Sequence, residues 1–333
     1  MQNGSVPTFT DAHGIEITYY VWPVAAPRAV VQVAHGVGEH AQRYVELATA
    51  LNAAGYTVYA DDHRGHGQTG FKQHSGNREL MGKLGPGGLR AAVAAVHQFS
   101  GIIRAENPGL PLVLFGHSWG SFMAQMIVNE HAAEYDAVVL SGTAYRWPGS
   151  LDTGDLNRKH KHLGTTGAEW LSRDPAVAEA FVADPLTTLT PIAKLFGIRD
   201  GLRLFGRPAK NLPEHLPLLV QVGSDDTVGG EKSALRLVQA YAGHSGLRDI
   251  KLIVYPGARH EIYNETNRAE VTSDLVEWLD ERFPARSAAP ASESAPAAES
   301  TPAATPASAP ASAPASAPAK SASGSAPETP EPR

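Results

Sequence analysis

The 333-residue sequence contains no cysteine, so the chain can form neither a disulfide framework nor a thiolate metal site. No apolar run approaches the length of a membrane span, and residues 1–10 lack a basic region followed by an apolar stretch. The net charge is only −6, and the basic residues are scattered among acidic ones, which argues against a nucleic-acid surface. We therefore predict a soluble cytoplasmic protein, with peripheral attachment at a membrane as the other localisation considered.

Large apolar residues are absent after Phe283. Residues 285–333 consist of Ala, Pro and Ser with a few charged residues, including tandem Ser-Ala-Pro-Ala units around 308–319. A segment of this composition cannot bury a hydrophobic core, so we predict that it is a disordered tail. We favour a solvated tail without a specific partner over a tether or an interaction segment. The remaining chain, about 284 residues, suits one large α/β domain with an insertion better than two independent domains.

Strand and helix patterns alternate through residues 1–142 and again through residues 214–284. Short apolar runs predict buried strands over 28–34, 56–60, 111–115, 136–140, 218–222 and 250–255. Strands that alternate with helices over short connections require a mainly parallel sheet with helices on both faces. A hairpin within residues 8–22 is predicted to add an antiparallel edge.

The pentapeptide Gly116-His117-Ser118-Trp119-Gly120 lies between a short apolar run and an apolar-periodic run, where a buried strand turns into a helix. This context is typical of a nucleophile elbow, in which the serine adopts a strained conformation and the glycines avoid clashes. The start of the helix leaves N–H groups free near the serine, above all that of Trp119. We therefore predict that Ser118 is a catalytic nucleophile rather than part of a glycine-rich turn.

A serine of this kind needs a base, and the base needs a carboxylate that holds it in the right tautomer. In an elbow fold these partners follow the serine after later strand ends, in the order Asp and then His. His260 follows the last predicted strand and a glycine turn, which favours it as the base. Asp225 and Asp226 both follow the preceding strand, and only one of two neighbours in a turn can reach the imidazole.

The polar loop of residues 61–70 contains His63, His66 and two aspartates, which could be read as metal ligands. No fourth partner at a familiar spacing is evident, and side-chain hydrogen bonds account for such a turn. We therefore favour a turn and predict no metal.

Five motifs, taken in order, give the chain a resemblance to the monoacylglycerol lipase and lysophospholipase group of α/β-hydrolases, which are serine hydrolases. They are His-Gly-Val-Gly-Glu-His at 35–40, Asp-His-Arg-Gly-His-Gly at 62–67, the pentapeptide at 116–120, Gly-Ser-Asp-Asp at 223–226 and Gly-Ala-Arg-His at 257–260. The likeness spans about residues 10–283. It implies the α/β-hydrolase fold, a triad of Ser118, Asp226 and His260, and an oxyanion hole formed by the N–H groups of Val37 and Trp119.

The resemblance also implies hydrolysis of carboxylic esters, such as monoacylglycerols or lysophospholipids, through an acyl-enzyme on Ser118 and without metal or cofactor. A serine peptidase or amidase on the same fold is the alternative, although no acidic cluster clearly provides a site for a peptide amine. A non-catalytic binding protein is disfavoured because the catalytic set is complete. Two departures stand out, since the family commonly carries Met at the position of Trp119 and Ser at that of Thr69. The indole is expected to narrow the acyl site.

Strand and helix alternation lapses in residues 143–213, which we predict to be an inserted cap, or lid, over the site. Seven apolar residues of this segment recur at roughly helical spacing, namely Leu189, Ile192, Leu195, Phe196, Ile198, Leu202 and Phe205. We favour packing of this stripe onto the core, with an acyl-binding or membrane-facing surface as the alternative. His160 and His162 are expected to be solvated rather than catalytic.

Overall fold

A computed structural model describes residues 6–152 and 154–285, so the predicted disordered tail falls almost wholly outside the described residues. Eight strands form one sheet in the order β1-β2-β4-β3-β5-β6-β7-β8. The strands are β1 (Thr8–Thr10), β2 (Glu16–Trp22), β3 (Ala29–Ala34), β4 (Tyr56–Asp61), β5 (Leu112–His117), β6 (Ala137–Ser141), β7 (Leu218–Gly223) and β8 (Ile250–Tyr255). Strands β3 to β8 run parallel, whereas β2 pairs antiparallel with both β1 and β4. The predicted parallel sheet and its antiparallel edge are thus confirmed.

Helices connect the strands and cover both faces of the sheet. They are α1 (Val45–Ala53), α2 (Gly67–Gln73), α3 (Gly88–Glu106), α4 (Trp119–His131), α5 (Pro175–Ala183), α6 (Ile192–Arg203), α7 (Gly230–Ala240) and α8 (Arg268–Arg282). Alternate residues of β5 enter different cores, with Leu114 packed on the side of α3 and α4 and Phe115 on the side of α1 and α8. Burial of both faces explains why the central strands are continuous apolar runs.

The segment between β6 and β7 contains α5 and α6. Helix α6 is broken at Gly197, whose φ of 68° and ψ of −176° are not helical. The side chains of Leu195 and Phe196, before the break, are buried as the packing prediction requires, whereas Ile198 and Leu202 are 85% and 65% exposed. Within residues 6–152 and 154–285, no helix is long and apolar enough to cross a membrane.

The prediction that both histidines of this segment are solvated is wrong for His160, which is only 3% exposed. Two consecutive N–H groups, those of His160 and Lys161, donate to the carbonyl of Asn157 and fold the backbone into a tight turn at this residue. His162 is exposed, as expected.

Candidate active site

Ser118 lies between the end of β5 and the start of α4, and its φ of 52° is in a region that side chains with a Cβ rarely adopt. Its N–H donates to the carbonyl of Ser141 at 2.9 Å, and its carbonyl accepts from the N–H of Ser121 at 2.9 Å. These bonds hold the strained residue in place. Ser118 lines a cavity of about 390 Å³, as the elbow prediction requires.

The two glycines of the pentapeptide are required by close backbone crossings. A Cβ at Gly116 would lie 2.6 Å from the carbonyl oxygen of Gly120. A Cβ at Gly120 would collide with the carbonyl of Ala34 at the end of β3. Strand β5, helix α4 and the end of β3 can therefore approach one another only because both positions lack a side chain.

His260 and Asp226 meet below the cavity. The Nδ1 atom of His260 lies 2.9 Å from Oδ1 of Asp226, and both side chains are buried. Asp226 follows β7 and His260 follows β8, so the parallel sheet brings both loops to the edge where Ser118 lies. The Nε2 atom of His260 is buried without a hydrogen-bond partner among the described residues. It is therefore free to bind a hydroxyl or a leaving group in the cavity that His260 also lines.

Asp225 points elsewhere, and its Oδ1 atom pairs with Nζ of Lys159 at 2.6 Å. The hydrogen bond from Lys159 lowers the pKa of Asp225 below its ordinary value. Of the two aspartates that the turn offers, only Asp226 contacts the imidazole of His260.

The surroundings of His260 favour a positive charge on its ring. Burial by itself would lower the pKa of His260, but the charge and hydrogen bond of Asp226, with smaller contributions from Glu261 and Glu39, raise it above 6.5. The neighbouring His117 ring lies 4.8 Å away, and burial together with repulsion from His260 lowers its pKa to about 3. His117 therefore stays neutral, and a proton taken from the cavity is stabilised on His260.

The loop after β3 lies against Ser118. A Cβ at Gly36 would come within 3.1 Å of the Cβ of Ser118. Next to it, the N–H group of Val37 has no acceptor within the described part of the chain, and the same is true of the N–H group of Trp119. Two unpaired donors beside a serine can bind an oxyanion that forms in the cavity.

The prediction of one polar loop over residues 61–70 holds only for residues 62–66, because Asp61 ends β4 and helix α2 begins at Gly67. These residues support the loop that carries Val37. His35 stacks on His63 with ring centroids 3.9 Å apart, and its Nε2 atom accepts the N–H of His63 at 3.0 Å. Asp62 accepts the N–H groups of Ala41 at 2.9 Å and Gln68 at 2.7 Å. The residues that could be read as metal ligands therefore hold a turn and the loop that carries Val37.

A buried ion-pair network next to the site has no counterpart in the sequence analysis. Arg43 contacts Glu39 at 2.8 Å and Glu261 at 2.6 Å. Glu39 also accepts the N–H of Gly36 at 2.6 Å, so Arg43 links the loop of Val37 to the residue that follows His260. Burial would raise the pKa of Glu261, but Arg43 lowers it to about 2 and keeps the carboxylate ionised. The i, i+4 spacing of Glu39 and Arg43 is the only signal in the sequence for this network.

Trp119 forms part of the cavity wall and is fully buried. Its ring centroid lies 5.2 Å from that of Phe196 on α6 and 5.1 Å from that of His66. The remaining wall is largely apolar, and the segment between β6 and β7 contributes Leu151, Leu156, Trp170, Phe181, Leu189, Ile192 and Leu204. An apolar ligand with one polar, hydrolysable group fits such a cavity.

Comparison with known proteins places this geometry in a family. A family model described as serine aminopeptidase, S33, matches residues 25–267. The chain belongs to the serine aminopeptidase S33 family. This S33 protein is 33% identical over 287 residues to monoacylglycerol lipase of Mycolicibacterium smegmatis, with 82% of this chain and 95% of the relative covered. Human monoglyceride lipase is 29% identical, with coverage of 83% and 91%.

A solved structure extends the comparison. The carboxyl esterase of Bacillus coagulans, crystallised with glycerol, matches the S33 protein with a TM-score of 0.71 at 27% identity, covering 83% of this chain and 98% of the esterase. Although the family model carries the name of a peptidase, these relatives are lipases and an esterase by name. They support the predicted enzyme class, a serine ester hydrolase, over the peptidase alternative.

Proposed function

We propose that this chain hydrolyses carboxylic esters of small lipids, with monoacylglycerols and lysophospholipids as the substrate class, through an acyl-enzyme on Ser118. One observation carries the proposal, namely that the groups needed for ester hydrolysis line the same cavity. They are Ser118, His260 with its hydrogen bond to Asp226, and the unpaired N–H groups of Val37 and Trp119. The names of two S33 relatives, monoacylglycerol lipase and monoglyceride lipase, support monoacylglycerols as substrates.

In this mechanism Nε2 of His260 takes the proton from Ser118 Oγ as the oxygen attacks the ester carbonyl carbon. The N–H groups of Val37 and Trp119 donate to the oxyanion of the tetrahedral intermediate. The carbon–oxygen bond to the alcohol then breaks, and protonated His260 delivers its proton to the departing alkoxide. Water, deprotonated by His260, next attacks the acyl carbon. The bond from that carbon to Ser118 Oγ then breaks, His260 returns its proton to Oγ and the carboxylic acid leaves, while Asp226 holds the imidazole in one tautomer.

We also propose that residues 143–213 act as a cap on a core built from residues 1–142 and 214–284. Backbone contacts support this assignment, since the N–H of Thr188 donates to the carbonyl of Gly38 at 2.8 Å and the N–H of Glu261 donates to that of Leu171 at 2.7 Å. The cap thereby touches both the loop of Val37 and the loop of His260. Its apolar residues in the cavity wall are suited to bury an acyl chain.

A substrate series tests the proposal. We expect ester turnover across p-nitrophenyl and monoacylglycerol esters from acetyl to oleoyl, and we expect Trp119→Met to move the optimum towards longer chains. Methionine is thinner and more flexible than the indole, so it opens the wall beside the serine. Trp147→Met is the matched control, because Trp147 is half exposed and lies outside the cavity, and it should leave the optimum unchanged. Turnover of peptide amides without ester turnover would favour the peptidase alternative.

We further propose that the exposed end of α6 contacts membrane surfaces. Ile198 and Leu202 project from a helix that also carries Lys194 and Arg199, a combination that suits an anionic lipid interface. We expect the full chain to co-sediment with phosphatidylglycerol-containing vesicles, and the double variant Ile198→Ser, Leu202→Ser to lose this binding. Leu235→Ser removes another exposed leucine, on α7, and should bind like the wild type. Equal binding by the double variant and the wild type would refute the contact.

A further inference from the structure

A second cluster of potential ligands lies on α3 and at the end of α4, outside the cavity of Ser118. It consists of His97 on α3, His131 at the last residue of α4 and Glu134 in the short 3-10 helix Ala132–Glu134. His97 Nε2 lies 2.8 Å from one oxygen of Glu134, and His131 Nδ1 lies 3.0 Å from the other. The carboxylate therefore faces both imidazoles at once.

The three donor groups are close enough for one metal ion. Their ligand atoms all lie within 4.8 Å of one another. Zinc binds imidazole nitrogen and carboxylate oxygen at about 2.0–2.2 Å, so the donors of a tetrahedral site are separated by roughly 3.3 Å. Small rotations of the three side chains would bring the atoms to this separation. Two imidazoles and one carboxylate are a donor set that suits Zn²⁺, with a fourth position left for water.

The two histidine rings can also be reached from solvent. The two imidazole rings are stacked, with centroids 3.7 Å apart and planes inclined by 18°. The rings of His97 and His131 are 28% and 35% exposed, so an ion can reach them from solvent. In the hydrogen-bonded arrangement the ring nitrogens that face Glu134 donate N–H groups. On metal binding each hydrogen would move to the other ring nitrogen, which is a change of neutral tautomer.

The charges around the cluster permit a cation. His97 and His131 line a surface cavity of about 520 Å³ to which Glu130 adds another carboxylate. Arg90 and Arg203 line the same cavity and oppose a cation. The charge of Arg203 is offset by Asp200, whose carboxylate lies 2.5 Å from its guanidinium. Of the nearby charges, Arg90 alone therefore opposes a cation, whereas the carboxylates of Glu130 and Glu134 favour one.

We propose that His97, His131 and Glu134 bind one Zn²⁺ ion at the surface of this protein. The ion would join the middle of α3 to the end of α4, the helix that begins directly after Ser118. The site is independent of the proposed esterase chemistry, since none of its residues lines the cavity of Ser118. The i, i+3 spacing of His131 and Glu134 is the only local signal for it in the sequence, because His97 and Glu134 are 37 residues apart.

Calorimetric titration of the untagged, chelator-treated full chain with Zn²⁺ tests the proposal. We expect one saturable site, and we expect His97→Ala and His131→Ala each to weaken Zn²⁺ binding by about ten-fold or more. Glu134→Gln, which retains the shape of the side chain, should weaken it as well. His215→Ala is the matched control, because His215 is an exposed histidine 3.0 Å from Glu214, and its binding should equal that of the wild type.

Thermal unfolding provides a second readout that does not depend on activity. Zn²⁺ should raise the Tm of the wild type and of His215→Ala but leave that of Glu134→Gln unchanged, since an ion stabilises only the folded state that binds it. If the alanine variants fail to fold, the glutamine variant still decides. Absence of Zn²⁺ binding by the wild type, or equal affinity in the wild type and the Glu134→Gln variant, would overturn the proposal.

Discussion

Replacing Ser118 with alanine should abolish ester hydrolysis and leave the protein folded. Loss of the nucleophile in enzymes of this type costs about 10⁴- to 10⁶-fold in kcat. Alanine keeps the Cβ, so the backbone strain at a φ of 52° is the same before and after the substitution. The measurements are kcat with a p-nitrophenyl ester, labelling by a fluorophosphonate and the Tm. We expect the first two to vanish and the third to stay near that of the wild type.

Ser75 provides a closely matched control for this experiment. It is an exposed serine with a φ of 51°, and it lies outside the cavity. Ser75→Ala therefore repeats the same chemical change at a residue with a similar positive φ. It should retain the wild-type rate and the fluorophosphonate label. Wild-type turnover in Ser118→Ala would mean that another residue is the nucleophile, and the acyl-enzyme proposal would then have to be abandoned.

The sheet was predictable from the sequence because its central strands are buried on both faces. Every residue of β3, from Ala29 to Ala34, is buried, and so is every residue of β5 and β7. Such strands must be continuous apolar runs, and glycines and polar residues mark where they end.

The segment between β6 and β7 was less predictable, because its conformation depends on contacts with the core. The apolar stripe of residues 189–205 reads as one helical face, but the left-handed φ of Gly197 breaks the helix. The two residues directly before the break are buried, whereas Ile198 and Leu202 after it are exposed, so a single periodicity cannot describe both halves. His160 is buried for a similar reason, since local backbone hydrogen bonds rather than its polar neighbours decide its exposure.

Candidate site residues within local motifs can be proposed from the sequence, whereas contacts between residues that meet across the fold cannot. The serine elbow needs only a strand, a turn and a helix that are contiguous in sequence. Arg43 and Glu261, in contrast, are separated by 218 residues and meet only because β3 and β8 end at the same edge of the sheet. Their contact holds two loops at the cavity, yet neither residue stands out in the sequence by itself.

Asp226→Asn should lower kcat by about 10³- to 10⁴-fold, whereas Asp225→Asn should change it by no more than a few-fold. The carboxylate of Asp226 accepts a hydrogen bond from Nδ1 of His260 and so leaves Nε2 free to act as the base. An asparagine can present its NH₂ group instead and stabilise the opposite tautomer. Asp225 loses only an exposed ion pair with Lys159, which contributes little. Both variants are compared with the wild type by kcat and kcat/KM on the same ester.

The pH dependence separates an electrostatic role of Asp226 from a structural one. His260 acts as a base only when neutral, so kcat/KM falls as the pH drops through its pKa. Asp226 helps to raise that pKa above 6.5, and the acid limb of the wild type should therefore lie above this value. In Asp226→Asn burial remains while the attraction is lost, so the limb should move to lower pH. In Asp225→Asn it should stay in place. A shifted limb in Asp225→Asn with an unshifted limb in Asp226→Asn would assign the orienting carboxylate to Asp225, against the geometry of the site.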